Sequence, residues 1–113
     1  MRREWTLSLL FLPFAAFSPT RLMEVRSDQH DRCADCGTDT ERLQVHHRVP
    51  QRYYGTDRRV NAIALCPGCH QRWDALADEG IVYPGVGIGD VDTHCFDNPQ
   101  VRLKIIEQFG GEG

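Results

Sequence analysis

Leu43-Gln-Val-His46-His47-Arg-Val-Pro50 and Asn61-Ala-Ile-Ala-Leu65-Cys66-Pro-Gly-Cys69-His70, joined by a charged connection, are the two stretches that decide the fold. Apolar and polar residues alternate in the first, so Leu43 to His46 reads as a short strand with Leu43 and Val45 facing inward. Ala62 to Leu65 reads as a second short strand. Between them, residues 48–59 hold Pro50, Gly55 and several charges and read as a loop. Pro67 and Gly68 then turn the chain, and a helix is predicted from about His70 to Glu79. Its apolar stripe is Trp73, Leu76 and Ala77, and Gly80 is its stop.

Working outward, Cys66 and Cys69 pair with an upstream knuckle of the same spacing, Cys33-Ala-Asp-Cys36-Gly37. Two Cys-x-x-Cys pairs have metal-knuckle rather than disulfide-framework spacing. Four thiolates close a tetrahedral zinc site and leave no open position, so this Zn2+ would be structural. It would pin the knuckle before the strands to the knuckle that starts the helix, a useful staple for a chain with a modest core. Thiolates must stay reduced, so the cysteines place the protein in the cytoplasm. His30 is a weaker competitor for the same ion.

The formal net charge of −3 conceals an asymmetry. Residues 41–72 carry six arginines against two acids, a local +4, whereas residues 73–113 carry two bases against eight acids. The one basic stretch therefore coincides with the histidines, where a polyanion would be useful. Arg48, Arg52, Arg58 and Arg59, with Tyr53 and Tyr54, fill the loop between the strands and are candidates for gripping phosphates and stacking on sugar or base. The acidic C-terminal third opposes tight non-specific binding by one chain alone, so a homodimer or larger assembly is a possible source of added affinity.

The flanks are less informative. Residues 1–27 read as an apolar, irregular extension, with the run Thr6 to Phe17 after a charged start. It resembles a secretory signal; a cap packed on the domain and a true start at Met23 are the alternatives. Pro13 interrupts it and it is too short to span a bilayer, so no stable membrane insertion is expected. Residues 81–113 read as a Gly-rich loop to residue 98, then a short helix, Pro99 to Phe109, with Val101, Leu103, Ile105, Ile106 and Phe109 available for burial. His94 and Cys95 in that loop read as an incidental pair.

The chemistry-bearing residues are His46, His47 and His70, with Asp74 one helical turn beyond His70 at the i, i+4 spacing of helical ligands. His46, His70 and Asp74 can hold a divalent ion while His47 stays free as a base. On a regular strand, adjacent side chains point to opposite faces. At a strand end both histidines can approach one phosphate.

From Cys33 to Asp74 the sequence resembles the HNH endonucleases, in the subgroup with a structural zinc: Cys-x-x-Cys, His46-His47-x-x-Pro50, Asn61 and Cys-x-x-Cys-His70 occur in order. The resemblance implies a small α+β fold with a zinc-stapled ββα-metal motif, spanning residues 28–80, that clasps one catalytic ion. By position it makes His46 and His70 ligands of that ion, with Asp74 a looser third, His47 the general base and Asn61 a residue that orients the base or approaches the metal. It implies hydrolysis of DNA phosphodiester bonds to a 5′ phosphate and a 3′ hydroxyl. Mg2+ is the default ion; two imidazoles also suit Mn2+, Ni2+ or Zn2+. The rival reading is a non-catalytic zinc ribbon that binds nucleic acid or protein, which has no use for a free histidine beside a ligand-like one.

Overall fold

The short strands and helices lie where their local chemistry puts them, and a computed structural model describes them over residues 17–110. The readings of residues 1–16 as a leader, a cap or a misplaced start lie outside the described residues. The first described element was not anticipated. Ser18 caps a helix α1, Pro19–Asp28, accepting from the Arg21 N–H at 3.1 Å, with Pro19 at its first position. A side-chain acceptor followed by a pre-set φ is a standard helix start.

Strand β1, Gln44–His47, and β2, Ala62–Leu65, pair antiparallel with His46 opposite Ile63 and His47 opposite Ala62. β1 is thus shifted by one residue from the expected Leu43–His46: it starts at Gln44 and takes in His47. All four residues of β2 are buried, because both α1 and the following helix pack against it. That double cover explains why β2 is a continuous apolar run without alternation. The outer edge of β2 is closed by a side chain: the Gln29 amide donates to the Ala64 carbonyl at 2.9 Å and accepts from the Ala64 N–H at 2.9 Å. Edge groups that would otherwise need water or another strand are satisfied there.

Helix α2 spans Pro67–Ala77 and so begins before the predicted His70. Cys66 is its N-cap and Pro67 its first residue, and the His70 N–H already donates to the Cys66 carbonyl at 2.9 Å. The second knuckle is therefore the first turn of the helix, not a turn ahead of it. Trp73 and Ala77 are buried on the expected stripe, with Leu76 partly so. Gly80 stops the chain at φ +81°, with Phe109 packed so close that a Cβ would lie 2.9 Å from its ring.

The segment read as a Gly-rich loop is ordered instead. It forms a hairpin of β3, Ile81–Val82, and β4, Val86–Gly87, then two 3-10 turns at Ile88–Asp90 and Thr93–Cys95. Val82, Ile88, Val91, Cys95 and Phe96 are buried with Val49, Ala77 and Ile105 in a second apolar core. Glycine allows the close packing: a Cβ on Gly89 would meet Ile106 Cγ1 at 2.5 Å. Helix α3, Pro99–Gln108, covers this core through Ile105, with Val101 and Phe109 partly buried. Leu103, expected to be available for burial, is 61% exposed because it lies two residues from Val101 and Ile105 and so faces away from their stripe. The first core holds Phe17, Val25, Leu43, Ile63, Leu65 and Trp73. Together these elements make a small α+β fold, stapled at the two knuckles. Among the described residues, no helix is long and apolar enough to cross a membrane.

Candidate active site

Cys33, Cys36, Cys66 and Cys69 converge, their sulfurs all within 4.8 Å of one another. Gly37 at φ +76° and the Cys33 N–H bond to the Thr38 carbonyl, 3.0 Å, make the first knuckle's turn. Asp35, inside that knuckle, accepts from Trp73 Nε1 at 2.8 Å and pairs with Arg72, which ties the knuckle to α2. Burial disfavours the Cys33 thiolate, yet the N–H groups of Cys36, Cys66 and Asp35 outweigh it and pull the thiol down to about 6. Burial and the neighbouring sulfurs push Cys69 up. Four crowded thiols of this kind lose their protons together only around a cation, and the donor set suits a zinc ion. His30 is exposed and takes no part in the cluster, and His94, also exposed, makes no common site with Cys95, whose thiol is buried against the Val60 carbonyl.

A second site lies at the end of β1. An open cavity of about 310 Å³ is lined by Val45, His46, His47, Pro50, Gln51, Arg52, His70 and Asp74. Both adjacent histidines reach it. His46 is 3% exposed and meets the His70 ring edge-on, with centroids 4.9 Å apart. Its Nε2 is buried without a hydrogen-bond partner. Burial, then the neighbouring His70, lowers His46 to about 4, and burial lowers His70 as well. Both rings are therefore neutral near pH 7, the form that ligates metals. An orphaned buried imidazole nitrogen costs free energy unless something occupies it, so His46 and His70 fit a divalent ion.

The third expected ligand is less available. Asp74 lines the cavity, but its carboxylate accepts from Arg52 at 3.1 Å and its backbone carbonyl accepts from the same guanidinium at 2.9 Å. Among the described residues the four cysteines form the one group of three or more His, Cys, Asp or Glu donors placed to hold a metal ion; His46, His70 and Asp74 do not form such a group.

His47 takes a different environment. Its Nε2 donates to Asp57 Oδ1 at 2.8 Å, and its ring lies flat on Phe17, with centroids 4.0 Å apart and planes 18° from parallel. Neither partner was anticipated, although Asp57 is one of only two acids in the basic stretch 41–72. The Asn61 side chain makes no hydrogen bond to His47. It is fully buried, accepts from the Val49 N–H at 2.8 Å and donates to the carbonyls of Val49 at 3.0 Å and Thr56 at 2.9 Å. It clasps the two ends of the loop between β1 and β2.

The loop's cations are mostly used internally. Arg48 donates to the carbonyls of Tyr83 and Val60, Arg52 bridges Asp74 and Asp78, and Arg59 pairs with Asp28 and caps the Ala62 carbonyl. The Tyr53 hydroxyl donates to Asp78 at 2.6 Å. Of the four loop arginines Arg58 alone has no side-chain partner among the described residues, and it is exposed, as is Tyr54.

A strand hairpin and helix are joined by a four-cysteine cluster that could hold a zinc ion, beside one cavity that His46, His47 and His70 all line. The HNH endonuclease family model matches residues 31–74, from just before the first knuckle to Asp74. That segment is well under half of the chain. No curated protein and no solved structure matches the chain. HNH endonucleases act on nucleic acid, so the match suggests a nuclease or nucleic-acid-related function.

Proposed function

We propose that the protein is a DNA endonuclease that hydrolyses phosphodiester bonds at the cavity beside β1. The observation that carries this reading is the buried, unpartnered Nε2 of His46 facing His70, with a third histidine, His47, lining the same space but bonded elsewhere. His46 and His70, with Asp74 when Arg52 yields it, would hold one divalent ion, Mg2+ by default and Mn2+, Ni2+ or Zn2+ as alternatives. Such an ion, when bound, supplies positive charge to the phosphate and to the departing oxygen.

The remaining work falls to the chain. His47 accepts a proton from water as general base. Asn61 holds the loop that walls the cavity. Arg52 at the rim and exposed Arg58 present cations to the DNA backbone. The reduced four-cysteine staple fits a cytoplasmic setting.

The test is plasmid cleavage by zinc-loaded protein across several divalent ions, compared with H47A. Cleavage should vanish in H47A while zinc content and fold persist. Full activity in that variant overturns the mechanism; absence of cleavage by the unaltered protein under every ion favours the non-catalytic zinc-ribbon reading.

A further inference from the structure

Asp57 occupies a position that the active-site reading does not use. It lies in the loop between β1 and β2, its side chain is 59% exposed, and its Oδ1 receives the Nε2–H of His47 at 2.8 Å. An ionised carboxylate can only accept, so the proton of a neutral His47 ring must sit on Nε2 and the lone pair on Nδ1. Phe17 covers one face of the ring, which stands only 11% exposed, so the imidazole cannot swing away easily. The Gln51 amide approaches the same carboxylate oxygen at 3.4 Å.

The placement of Asp57 is itself set by the loop. Asn61 donates to the carbonyl of Thr56, the residue just before Asp57, and grips both backbone groups of Val49 two residues after His47. A chain of contacts therefore runs from Asn61 through the Thr56 backbone to Asp57 and then to His47. We infer that Asp57 is the positioning residue for His47, fixing its tautomer and ring orientation, and that Asn61 acts on His47 only through the loop that carries Asp57. The inference rests on the reading of His47 as the base.

The experiment pairs kinetics with spectroscopy on the full, zinc-loaded chain. Because Asp57 is exposed, D57A and D57N should fold normally. In Mg2+-dependent plasmid cleavage, D57A should lower kcat by about 10- to 100-fold with KM unchanged, the usual cost of losing a partner that orients a functional histidine. D57N, whose exposed amide can turn its oxygen to Nε2, should recover part of that loss. Long-range 1H–15N correlation spectra near pH 8, with His47 assigned from H47A, should show an Nε2-protonated ring in the unaltered protein. In D57A the two nitrogen shifts should move toward each other as the tautomers mix. Unchanged kcat in D57A, or a His47 nitrogen signature indifferent to it, overturns the inference. If the unaltered protein cuts nothing yet the His47 spectrum depends on Asp57, the positioning stands and the nuclease reading falls.

Discussion

Replacing Asn61 by alanine removes three hydrogen bonds at once from a fully buried point, and the size of the loss can be worked from their geometry. The Val49 N–H loses its only short acceptor at 2.8 Å, and the carbonyls of Val49 and Thr56 lose donors at 3.0 and 2.9 Å. Val49 is fully buried, so water does not easily replace the amide. A buried donor left unpaired costs about 1–3 kcal/mol, and each under-used carbonyl somewhat less because it keeps a second lone pair. With the small void left by the missing amide, the total is about 3–5 kcal/mol, a large part of the roughly 5–15 kcal/mol that holds a domain together. At an m value of about 1.5 kcal/mol/M, the urea midpoint of zinc-saturated N61A should fall by about 2–3 M. N61D is a second check: it keeps the acceptor for Val49 but sets an oxygen against two carbonyls, and should be destabilised near neutral pH. If N61A unfolds within about 0.5 M of the unaltered protein, the clasp is not what holds the loop.

Three further outcomes follow from the same packing. A Cβ on Gly55 would lie 1.7 Å from the Val49 carbonyl oxygen and 3.0 Å from the Asn61 amide, both fixed groups. G55A should therefore cost about 3 kcal/mol or more by thermal or denaturant unfolding, and a neutral result would refute the tight loop. Stripping zinc with a strong chelator should release α2 from the first knuckle and abolish cooperative unfolding, with recovery when Zn2+ is restored; a chelated protein that melts unchanged would show that the cysteines staple nothing. Finally, Arg58 and Arg48 should separate. R58A should flatten the dependence of DNA affinity on salt by about one counterion without changing stability. R48A should chiefly lower the melting temperature, since its guanidinium holds the carbonyls of Tyr83 and Val60. The reverse pattern would contradict their assigned environments.

Local patterns carried much of the architecture. The two Cys-x-x-Cys turns, the β2 run and the Trp73–Ala77 stripe each depend on residues a few positions apart, and each lies close to where spacing and turn chemistry place it. The helix start moved only because Pro67 and Cys66 begin it inside the knuckle. The segment 81–98 was illegible for a physical reason: its buried residues sit singly between glycines and turns, with neither helical nor strand periodicity, and become a core only against Val49, Ala77 and Ile105. Helix α1 has no apolar stripe to reveal it: Arg21, Glu24, Arg26 and Asp28 are spread around it and Val25 is its one buried residue.

At the site, the sequence alone determined which residues could meet: His46, His47, His70 and Asp74 line one cavity, as the strand end and the i, i+4 spacing require. What each side chain is free to do was decided only by the tertiary structure. Asn61 is spent on Val49 and Thr56, Arg52 holds Asp74 and Asp78, and Arg48 faces inward, while Asp57 and Phe17 reach His47. These pairings join positions from 5 to more than 30 residues apart. A hydrogen bond or ring stack depends on distances of a few ångströms that spacing along the chain does not set, so only the folded chain determines which polar groups are already satisfied and which remain for a ligand.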